Sequence, residues 1–490
     1  MQNDCSLLPS IAQTLRVLEI LCGRPDIILT FGEHSENVVK MLHKLGPLPT
    51  DIPKDSDFSA LLIIDRDKDF ASPLLTPAIY PALLLEVFPN NAGILELEMT
   101  KNKIQQQKLS IFTVPPKKED KSTANKSPAN IKTPTIRLNS LQDEIFAENR
   151  YKHFSAASSQ IRQQAKSISM ELQKLNNMKL EEMHDYVNRK LPKISDTKTK
   201  LLRHLNASEK VIEMLGSNFR RVQALEEDIL NNVSRKKILQ DIDELLTTDG
   251  QKYNTLRLLS LVHVCAGITI EELAQFIRNY CNYFGLKYLT IFEQLSQVGL
   301  LPQIAGDVVT PINKTASKLL SNIPLNIPKF QQTQFQANAN RLKLMVSVAG
   351  ADEPENLVTA STSTSQKSQL SSASTCPSYV FNRLYIPLIA QISNFLLKST
   401  CGDDFITKLA MIDNIQINGQ DIKSLAQSVK QTDYKHLLPL KKRQIFVFVV
   451  GGVTYTEIAA CNLVAKHTES EIFVASDCIL SGSDLIAGAF

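Results

Sequence analysis

Apolar residues change their spacing repeatedly along the first ninety residues, and each change predicts a new element. An amphipathic helix is indicated by apolar side chains three or four positions apart, at Leu8, Ile11, Leu15, Leu18 and Leu21. The same reading predicts a strand over 27–29, a helix over 36–45, a strand over 60–64 and a helix over 76–88. This alternation favours a parallel sheet with helices on its faces.

Two long stretches between residues 143 and 215 keep a helical spacing throughout. The first runs over 143–175 and the second over 180–215, with Asn176 and Asn177 between them. Two long helices joined by a short loop form an αα-hairpin. Pro192 lies inside the second predicted helix, where it removes a backbone hydrogen bond, so we expect a bend there.

The remaining chain continues with helices and then returns to alternation. Further helices are predicted over 224–247, 252–266, 270–284 and 287–298, with caps at Gly267, Gly285 and Gly299. A helix over 384–397, a strand over 444–450, a helix over 455–466 and a strand over 471–475 follow. The predicted fold class is therefore α/β plus all-α, in which a discontinuous parallel-sheet domain is interrupted by a large helical domain carrying the αα-hairpin.

Two polar segments separate these regions. Residues 115–137 are rich in lysine and proline, and residues 355–378 are dominated by serine and threonine, so neither stretch can bury much apolar surface. The predicted organisation is a first α/β part over 1–114, a linker over 115–137, a helical domain over 138–354, a loop over 355–378, and a second α/β part over 379–490.

Composition narrows the range of functions. The 490 residues include 54 basic and 50 acidic side chains, a net charge of +4 that is too balanced to predict nucleic-acid binding. The eight cysteines form no CxxC pair and are read as reduced, buried thiols. The sequence shows neither a signal peptide nor an apolar run of about 18 residues, so we expect a cytoplasmic protein.

The charged turn after the strand 60–64 has two interpretations. Asp65, Asp67 and Asp69 stand at alternate positions, a pattern that suits magnesium in enzymes that handle phosphate or nucleotides. Arg66 and Lys68 lie between them, however, and no phosphate-cradling glycine loop is near. The favoured interpretation is structural: Asp65 accepts backbone N–H groups or pairs with Arg66, and Asp69 caps a turn.

A pair of glycines before the last predicted helix is the other candidate for phosphate chemistry. Gly451 and Gly452 follow a strand and precede a helix, but the surrounding residues match neither common phosphate-binding pattern. Tight packing, with Thr454 or Thr456 and Glu457 as a capping box, is the preferred reading. No histidine pair, nucleophile or metal motif emerges, so the sequence predicts neither an enzyme nor a cofactor or metal.

Four stretches carry a family resemblance: LLIIDRDKDFASPLLTPAIYPALLLEVF, DEIFAENRYKHFSAASSQIRQQAKSI, TLRLLSLVHVCAGIT with YFGLKYLTIFEQLSQVGLL, and FVFVVGGVTYTEIAACNLVAK. In this order they resemble the Sec/Munc (SM) family, and within it the vacuolar sorting protein 33 type, with the B-like branch favoured. The similarity starts at the family's second domain. We therefore expect the family-typical first domain to be absent, which questions any full clamp around a SNARE bundle.

The resemblance implies an arch-shaped fold and a function without covalent chemistry. It predicts a SNARE-binding regulator of vesicle docking and fusion in endosome-to-lysosome transport. The implied partners are SNARE helices and a scaffold similar to vacuolar sorting protein 16 in a HOPS/CORVET-type tethering complex. The implied location is peripheral, on late endosome or lysosome (vacuole) membranes. Loss of the first domain would instead leave a subunit that binds its scaffold but no SNARE.

The hairpin is the predicted SNARE surface, because a protruding helix pair offers grooves to partner helices. The predicted contact residues are Leu191, Pro192, Ile194, Lys198 and Leu201 on the second helix, with Arg162 and Lys166 on the first. The alternative is a phosphate- or nucleotide-handling enzyme that uses the turn at Asp65 and Asp67 together with Gly452.

Overall fold

A computed structural model of the chain describes residues 5–49, 53, 55–91, 93–97, 135–174, 191–216, 218–248, 250–302, 333–346, 376–399, 402–428 and 440–488. Strands and helices alternate in the amino-terminal part. Its elements are α1 (Leu8–Cys22), β1 (Ile27–Phe31), α2 (Glu33–Lys44), β2 (Ala60–Asp65), α3 (Ala71–Leu74), α4 (Tyr80–Val87), β3 (Asn90–Asn91), β4 (Ile94–Glu96) and β5 (Thr135–Arg137).

Helices make up the next part of the described chain. They are α5 (Glu144–Asn149), α6 (Phe154–Lys174), α7 (Leu191–Leu215), α8 (Phe219–Leu230), α9 (Arg235–Leu246), α10 (Lys252–Ala266), α11 (Ile270–Phe284), α12 (Leu289–Val298) and α13 (Gln334–Leu342). Gly267, Gly285 and Gly299 follow α10, α11 and α12 with positive φ angles, as their predicted capping role requires.

Alternation returns towards the carboxyl end. The elements there are α14 (Leu388–Lys398), α15 (Gly402–Leu409), β6 (Ile415–Ile417), β7 (Gln420–Asp421), α16 (Ile422–Ser428), β8 (Gln444–Val450), α17 (Tyr455–His467), β9 (Glu471–Ser476) and α18 (Gly482–Ala487). The strands over 444–450 and 471–475 and the helix over 455–466 therefore form where the apolar pattern predicts them.

One sheet joins the two ends of the chain. Its six described strands run in the order β7-β6-β1-β2-β8-β9, and β1, β2, β8 and β9 are mutually parallel. Because β1 and β2 precede the helical block and β8 and β9 follow it, the sheet is discontinuous in sequence. This confirms the predicted fold class.

Helices cover both faces of this sheet. On one face, α1 and α2 pack Leu15 and Leu42 over Leu61 and Ile63. On the other face, α10, α14 and α17 contribute to the largest apolar cluster, which also contains Leu62 from the middle of β2. All residues of β1 and β2 are buried, which explains why these strands read as continuous apolar runs.

Two predicted helices are interrupted. The helix expected over 143–175 stops after α5 and restarts at Phe154, whose N–H donates to the carbonyl of Ala78 at 2.8 Å. The helix expected over 224–247 is α8 followed by α9, and Asn232 between them has a φ of 52°. In both places the chain leaves the helical conformation, so these two predictions were wrong in length.

The two segments predicted as linker and loop, 115–137 and 355–378, each end in residues that belong to regular structure. Residues 135–137 of the expected linker form β5, which pairs with β4. Pro377 and Ser378, in the expected loop, begin a buried 3-10 turn that runs to Phe381. The break at Asn176 and Asn177, and the residues before Pro192 that its expected bend requires, lie outside the described residues.

Candidate functional site

Asp65 ends the central strand β2 and holds the start of α2. Its carboxylate accepts the backbone N–H groups of His34 at 2.8 Å and Ser35 at 2.7 Å. Burial and the nearby charge of Asp67 raise the pKa of Asp65 to about 6, although the two N–H groups oppose the shift. Of the two predicted structural roles, the contacts of Asp65 correspond to that of an acceptor of backbone N–H groups.

Arg66 is buried between the two ends of the chain. Its guanidinium group donates to a Glu457 carboxylate oxygen at 2.8 Å and to the carbonyl of Gly452 at 3.3 Å. It also donates to the Asp69 carbonyl. Burial alone would lower the pKa of Arg66, but the charges of Glu457 and Asp69 outweigh it and the pKa is raised. Arg66 belongs to the first and Glu457 to the last of the four stretches that carry the family resemblance, so these two stretches meet in one ion pair.

Asp69 caps the turn after Arg66, as predicted. Its carboxylate accepts the Ser72 N–H at 2.9 Å and the Ser72 hydroxyl at 2.6 Å. It also accepts the Tyr385 hydroxyl at 2.9 Å and the Leu388 N–H at 3.0 Å. Asp67, by contrast, is exposed and pairs with Lys68 at 2.9 Å. The three carboxylates face different surroundings and share no ligand position, so this turn does not assemble a magnesium site.

The glycine pair is occupied by the protein's own groups. Both N–H groups donate to Oδ1 of Asp477, from Gly451 at 2.8 Å and from Gly452 at 3.1 Å. Gly452 has a φ of 103°, and a Cβ at that position would lie 2.0 Å from Leu480 Cδ2. Because a carboxylate already fills the anion position, this turn does not offer a phosphate cradle. Tight packing explains the glycines.

The capping role at α17 belongs to Thr454. Its side chain accepts the Glu457 N–H at 3.2 Å, and the Glu457 carboxylate accepts the Thr454 N–H at 2.9 Å. Thr456 is buried but does not take this role. Glu457 thus both caps α17 and pairs with Arg66.

A second buried network was missed by sequence reasoning. Arg257 of α10 donates to Glu226 of α8 at 2.6 Å and also to the Thr76 hydroxyl. Glu226 accepts the Thr76 N–H at 3.0 Å. The available signal was a single arginine inside the apolar run TLRLLSLV, since a charge there must find a buried partner. The network joins the helical block to the segment before α4.

A third network fixes the base of the hairpin. His204 of α7 lies between the Tyr80 hydroxyl, 2.8 Å from Nδ1, and the Asp143 carboxylate, 3.0 Å from Nε2. Asp143 also caps α5 by accepting the Phe146 N–H at 3.0 Å. Burial would raise the pKa of Asp143, but its hydrogen bond and charge interaction with His204 prevail and lower it. Three separate elements are therefore tied together where the hairpin leaves the body.

The outer parts of the hairpin leave the core. In residues 162–171 of α6 and 194–200 of α7 no side chain is buried, although α6 and α7 run side by side. Arg162, Lys166 and Lys198 are exposed, and Ile194 is half-buried. The side chains of Leu191 and Pro192 lie outside the described residues.

Leu201 does not belong to this surface. It is 1% exposed and lies in the apolar cluster formed with α4 and α6, which includes Leu84, Phe154 and Ile161. Its predicted direct contact with a partner is therefore corrected: Leu201 anchors the hairpin. The helical period explains why Leu201 is buried while Lys198 is exposed. Leu201 and His204 are three positions apart, so both lie on the face of α7 that packs against the body.

Comparison with known proteins decides the family. The sequence model described as the Sec1 family matches residues 3–488, almost the whole chain. The chain belongs to the Sec1 family. Proteins of this family regulate SNAREs and are not enzymes, which agrees with the structural use of the Asp65 turn and the glycine pair.

Curated Sec1-family relatives include both vacuolar sorting types. Vacuolar protein sorting-associated protein 33B of Danio rerio is 23% identical over 486 residues, covering 96% of this chain and 70% of the relative. Protein 33A of Rattus norvegicus is 22% identical over 493 residues, covering 99% and 71%. These similar values do not separate the A and B branches.

Solved Sec1-family structures share the fold. The SM protein Vps45 in complex with the Qa SNARE Tlg2 superimposes with a TM-score of 0.60 at 14% identity, covering 99% of this chain and 70% of that one. The Unc18–syntaxin 1 complex from Monosiga brevicollis gives a TM-score of 0.57 at 13% identity, covering 99% of this chain and 70% of that one.

Within the described residues, no helix is both long and apolar enough to span a bilayer.

Proposed function

We propose that the chain is a SNARE-binding regulator of vesicle docking and fusion in endosome-to-lysosome (vacuole) transport, and that the α6–α7 hairpin templates SNARE helices. One observation carries the proposal: residues 162–171 of α6 and 194–200 of α7 bury no side chain, while the inner part of α6 is held by the apolar cluster around Ile161 and Leu201, and that of α7 also by the Tyr80–His204–Asp143 network. A rigid base with an open outer surface suits a template for helices.

The proposed contact surface combines apolar and cationic side chains. Ile194 supplies apolar area, and Arg162, Lys166 and Lys198 supply positive charge at its rim. Leu191 and Pro192 remain proposed members, at the end of α7 that is farther from Leu201. This composition favours a partner helix with an apolar stripe flanked by acidic residues, because rim charges set the orientation and association rate of such contacts.

The cellular setting is proposed from the relatives. Their vacuolar sorting names support a subunit of a HOPS/CORVET-type tethering complex, bound to a scaffold similar to vacuolar sorting protein 16. We place the chain peripherally on late endosome or lysosome membranes and in the B-like branch.

Charge reversal on the hairpin tests the SNARE proposal. The triple variant Arg162→Glu, Lys166→Glu, Lys198→Glu is expected to lose most of its capture by immobilised Qa-SNARE helices, with an unchanged circular dichroism spectrum. Lys210→Glu is the matched control, since Lys210 lies on α7 nearer the body, where it pairs with Glu213 at 2.9 Å. Capture of the triple variant at the level of the full chain would contradict the template role.

A parallel purification separates the two binding roles. The scaffold subunit similar to vacuolar sorting protein 16 is expected to co-purify with both the full chain and the triple variant. A chain that retains this scaffold and captures no Qa-SNARE even without substitution would be a tethering subunit alone. That result would overturn the SNARE-binding proposal and leave the tethering proposal standing.

A further inference from the structure

A groove runs along one face of α17. It consists of two open cavities of about 560 and 1080 Å³, and Arg150 lines both. Tyr455 and Ile458 line the first, and Asn462 and Lys466 line the second. These four positions recur every three or four residues, so they form a single stripe along the helix. The two cavities are therefore one continuous surface.

The floor of the groove is partly apolar and only partly covered. Tyr455, Ile458 and Asn462 are half-buried and Lys466 is exposed, whereas Ala459 and its neighbours on the opposite side of α17 are buried in the core. Phe146 extends the apolar floor in the first cavity, and Ile472 does so in the second. A ligand that follows the stripe would meet apolar side chains in both cavities.

The charge of the groove is positive. Arg137 and Arg150 line the first cavity, and no carboxylate does among the described residues. The second cavity adds Lys442, Arg443 and Lys466 against Glu469 and Glu471. Glu471 accepts a hydrogen bond from Gln444 at 2.7 Å, and Arg443 donates to the carbonyls of Thr468 and Leu397. Hydrogen bonds to neutral amide and carbonyl groups leave these charges in place. Among the lining residues, five basic side chains against two carboxylates keep the groove positive, which favours an acidic ligand.

The edge of the sheet borders the second cavity. β9 is the last strand in the order of the described sheet. The Glu471 N–H donates to the Arg443 carbonyl on the β8 side at 2.8 Å. Since successive residues of a strand direct their N–H groups to opposite sides, those of Ile472 and Val474 point to the open edge. An extended peptide could pair there, as in other proteins that bind a partner by adding a strand.

From these features we propose that the α17 groove binds an acidic, extended segment of a partner protein, which pairs with β9 and places its carboxylates near Arg137, Arg150 and Lys466. An anionic membrane would satisfy the charge, but lipid headgroups would not use the backbone donors of a strand edge. This site uses none of the hairpin residues proposed to contact SNAREs and does not depend on SNARE binding.

A designed peptide of ten alternating glutamate and valine residues is the probe, and its lysine–valine counterpart is the comparison. Binding to the full chain is measured by fluorescence anisotropy. Arg137→Glu and Lys466→Glu, two exposed positions at opposite ends of the groove, are each expected to weaken binding of the acidic peptide by about tenfold. Lys40→Glu, on the far face of the sheet, is expected to leave it unchanged.

Two further variants test the strand edge. Val474→Pro removes an outward N–H and is expected to weaken the acidic peptide about tenfold, while Val474→Thr keeps the N–H and the branched shape and preserves binding. Equal affinity of both peptides, or no effect of the charge and proline variants, would overturn the proposal. So would binding to phosphatidylserine vesicles without binding to the acidic peptide.

Discussion

Arg66 and Glu457 lie 391 residues apart in the chain and form a buried ion pair of 2.8 Å. Arg66 follows β2 and Glu457 lies in the first turn of α17, so the pair joins the two sequence-distant parts of one sheet domain. The pair is fully surrounded by protein, and each partner has further hydrogen bonds to the backbone. This contact connects the first and last of the four stretches that carry the family resemblance.

Removing one partner should destabilise the fold strongly. Arg66→Met leaves the Glu457 carboxylate buried without its counter-charge, which typically costs about 3–5 kcal/mol of unfolding free energy. Urea denaturation followed by circular dichroism measures the change. Lys68→Ala serves as the control, because it breaks only the exposed pair with Asp67, worth about 0–1 kcal/mol. Equal effects of the two substitutions would show that the buried pair is not a structural link.

A comparison of Gly452 with Gly46 separates the energetic cost of backbone strain from that of steric overlap. Gly452 and Gly46 both have positive φ, 103° and 89°, but only Gly452 has heavy atoms within 4 Å of an added Cβ. Gly46→Ala is expected to cost about 1–2 kcal/mol from conformation alone. Gly452→Ala should cost about 1–3 kcal/mol more, because its methyl group overlaps Leu480.

A double-mutant cycle checks the steric cause. If Leu480 is the obstacle, Gly452→Ala combined with Leu480→Ala should be more stable than the sum of the two single changes predicts. Strict additivity of the unfolding free energies would exclude Leu480 as the obstacle and leave the backbone conformation or Cys478, whose Sγ would lie 2.9 Å from the added Cβ, as the cause.

Leu201 tests the corrected role of the middle of α7. Because the side chain is 1% exposed, Leu201→Ala is expected to lower the unfolding free energy by about 2–5 kcal/mol. The neighbouring Leu202 is 45% exposed, and Leu202→Ala should change stability by no more than about 0.5 kcal/mol. If chemical denaturation gives the two variants similar stabilities, Leu201 is not a buried anchor. It would then again be a candidate for direct contact with a SNARE.

The Tyr80–His204–Asp143 network predicts a pH dependence. The pKa of Asp143 is lower in the folded chain than its unfolded value of about 3.9, so its contribution to stability is present above that pH. The contribution is lost as the pH falls through the folded pKa. Asp143→Asn keeps an N-cap side chain but removes the charge, and it should therefore lower stability at pH 6 to 7.

Comparing the wild-type chain with Asp143→Asn across pH isolates this group from other titrating carboxylates. The difference in unfolding free energy should shrink as the pH falls below about 4, because the unfolded wild-type chain then takes up the proton before the folded chain does. It should vanish below the folded pKa, where both chains carry an uncharged side chain at this position. A difference that stays constant from pH 7 to pH 3 would show that the network stabilises by shape alone.

Much of the fold was predictable because it depends on local patterns. The buried strand β2 was visible as an uninterrupted apolar run, and the caps at Gly267, Gly285 and Gly299 follow from the residue's freedom at positive φ. The acceptor role of Asp65 also followed from its position at a strand end. Each of these features depends on a few consecutive residues.

Features that depend on distant contacts were not predictable. The break between α5 and α6 exists because Phe154 and its neighbours pair with the segment around Ala78, a contact invisible to periodicity. The burial of Leu201 likewise depends on which face of a long helix meets the body. A helical pattern identifies an apolar face, but it does not say whether that face meets the core or a partner.

Ligand screening gives the last prediction, against the enzyme alternative. Asp477 already accepts both N–H groups of the glycine pair, and Asp65 and Asp69 already accept several donors each. Magnesium with ATP or GTP should therefore leave the melting temperature of the full chain unchanged. A ligand present at a hundredfold excess over its dissociation constant would stabilise the folded state by about 2.7 kcal/mol, which a thermal-shift assay readily detects. A shift abolished by Asp67→Asn would restore the phosphate-handling alternative, because Asp67 is the one carboxylate of the turn that faces solvent in the described structure.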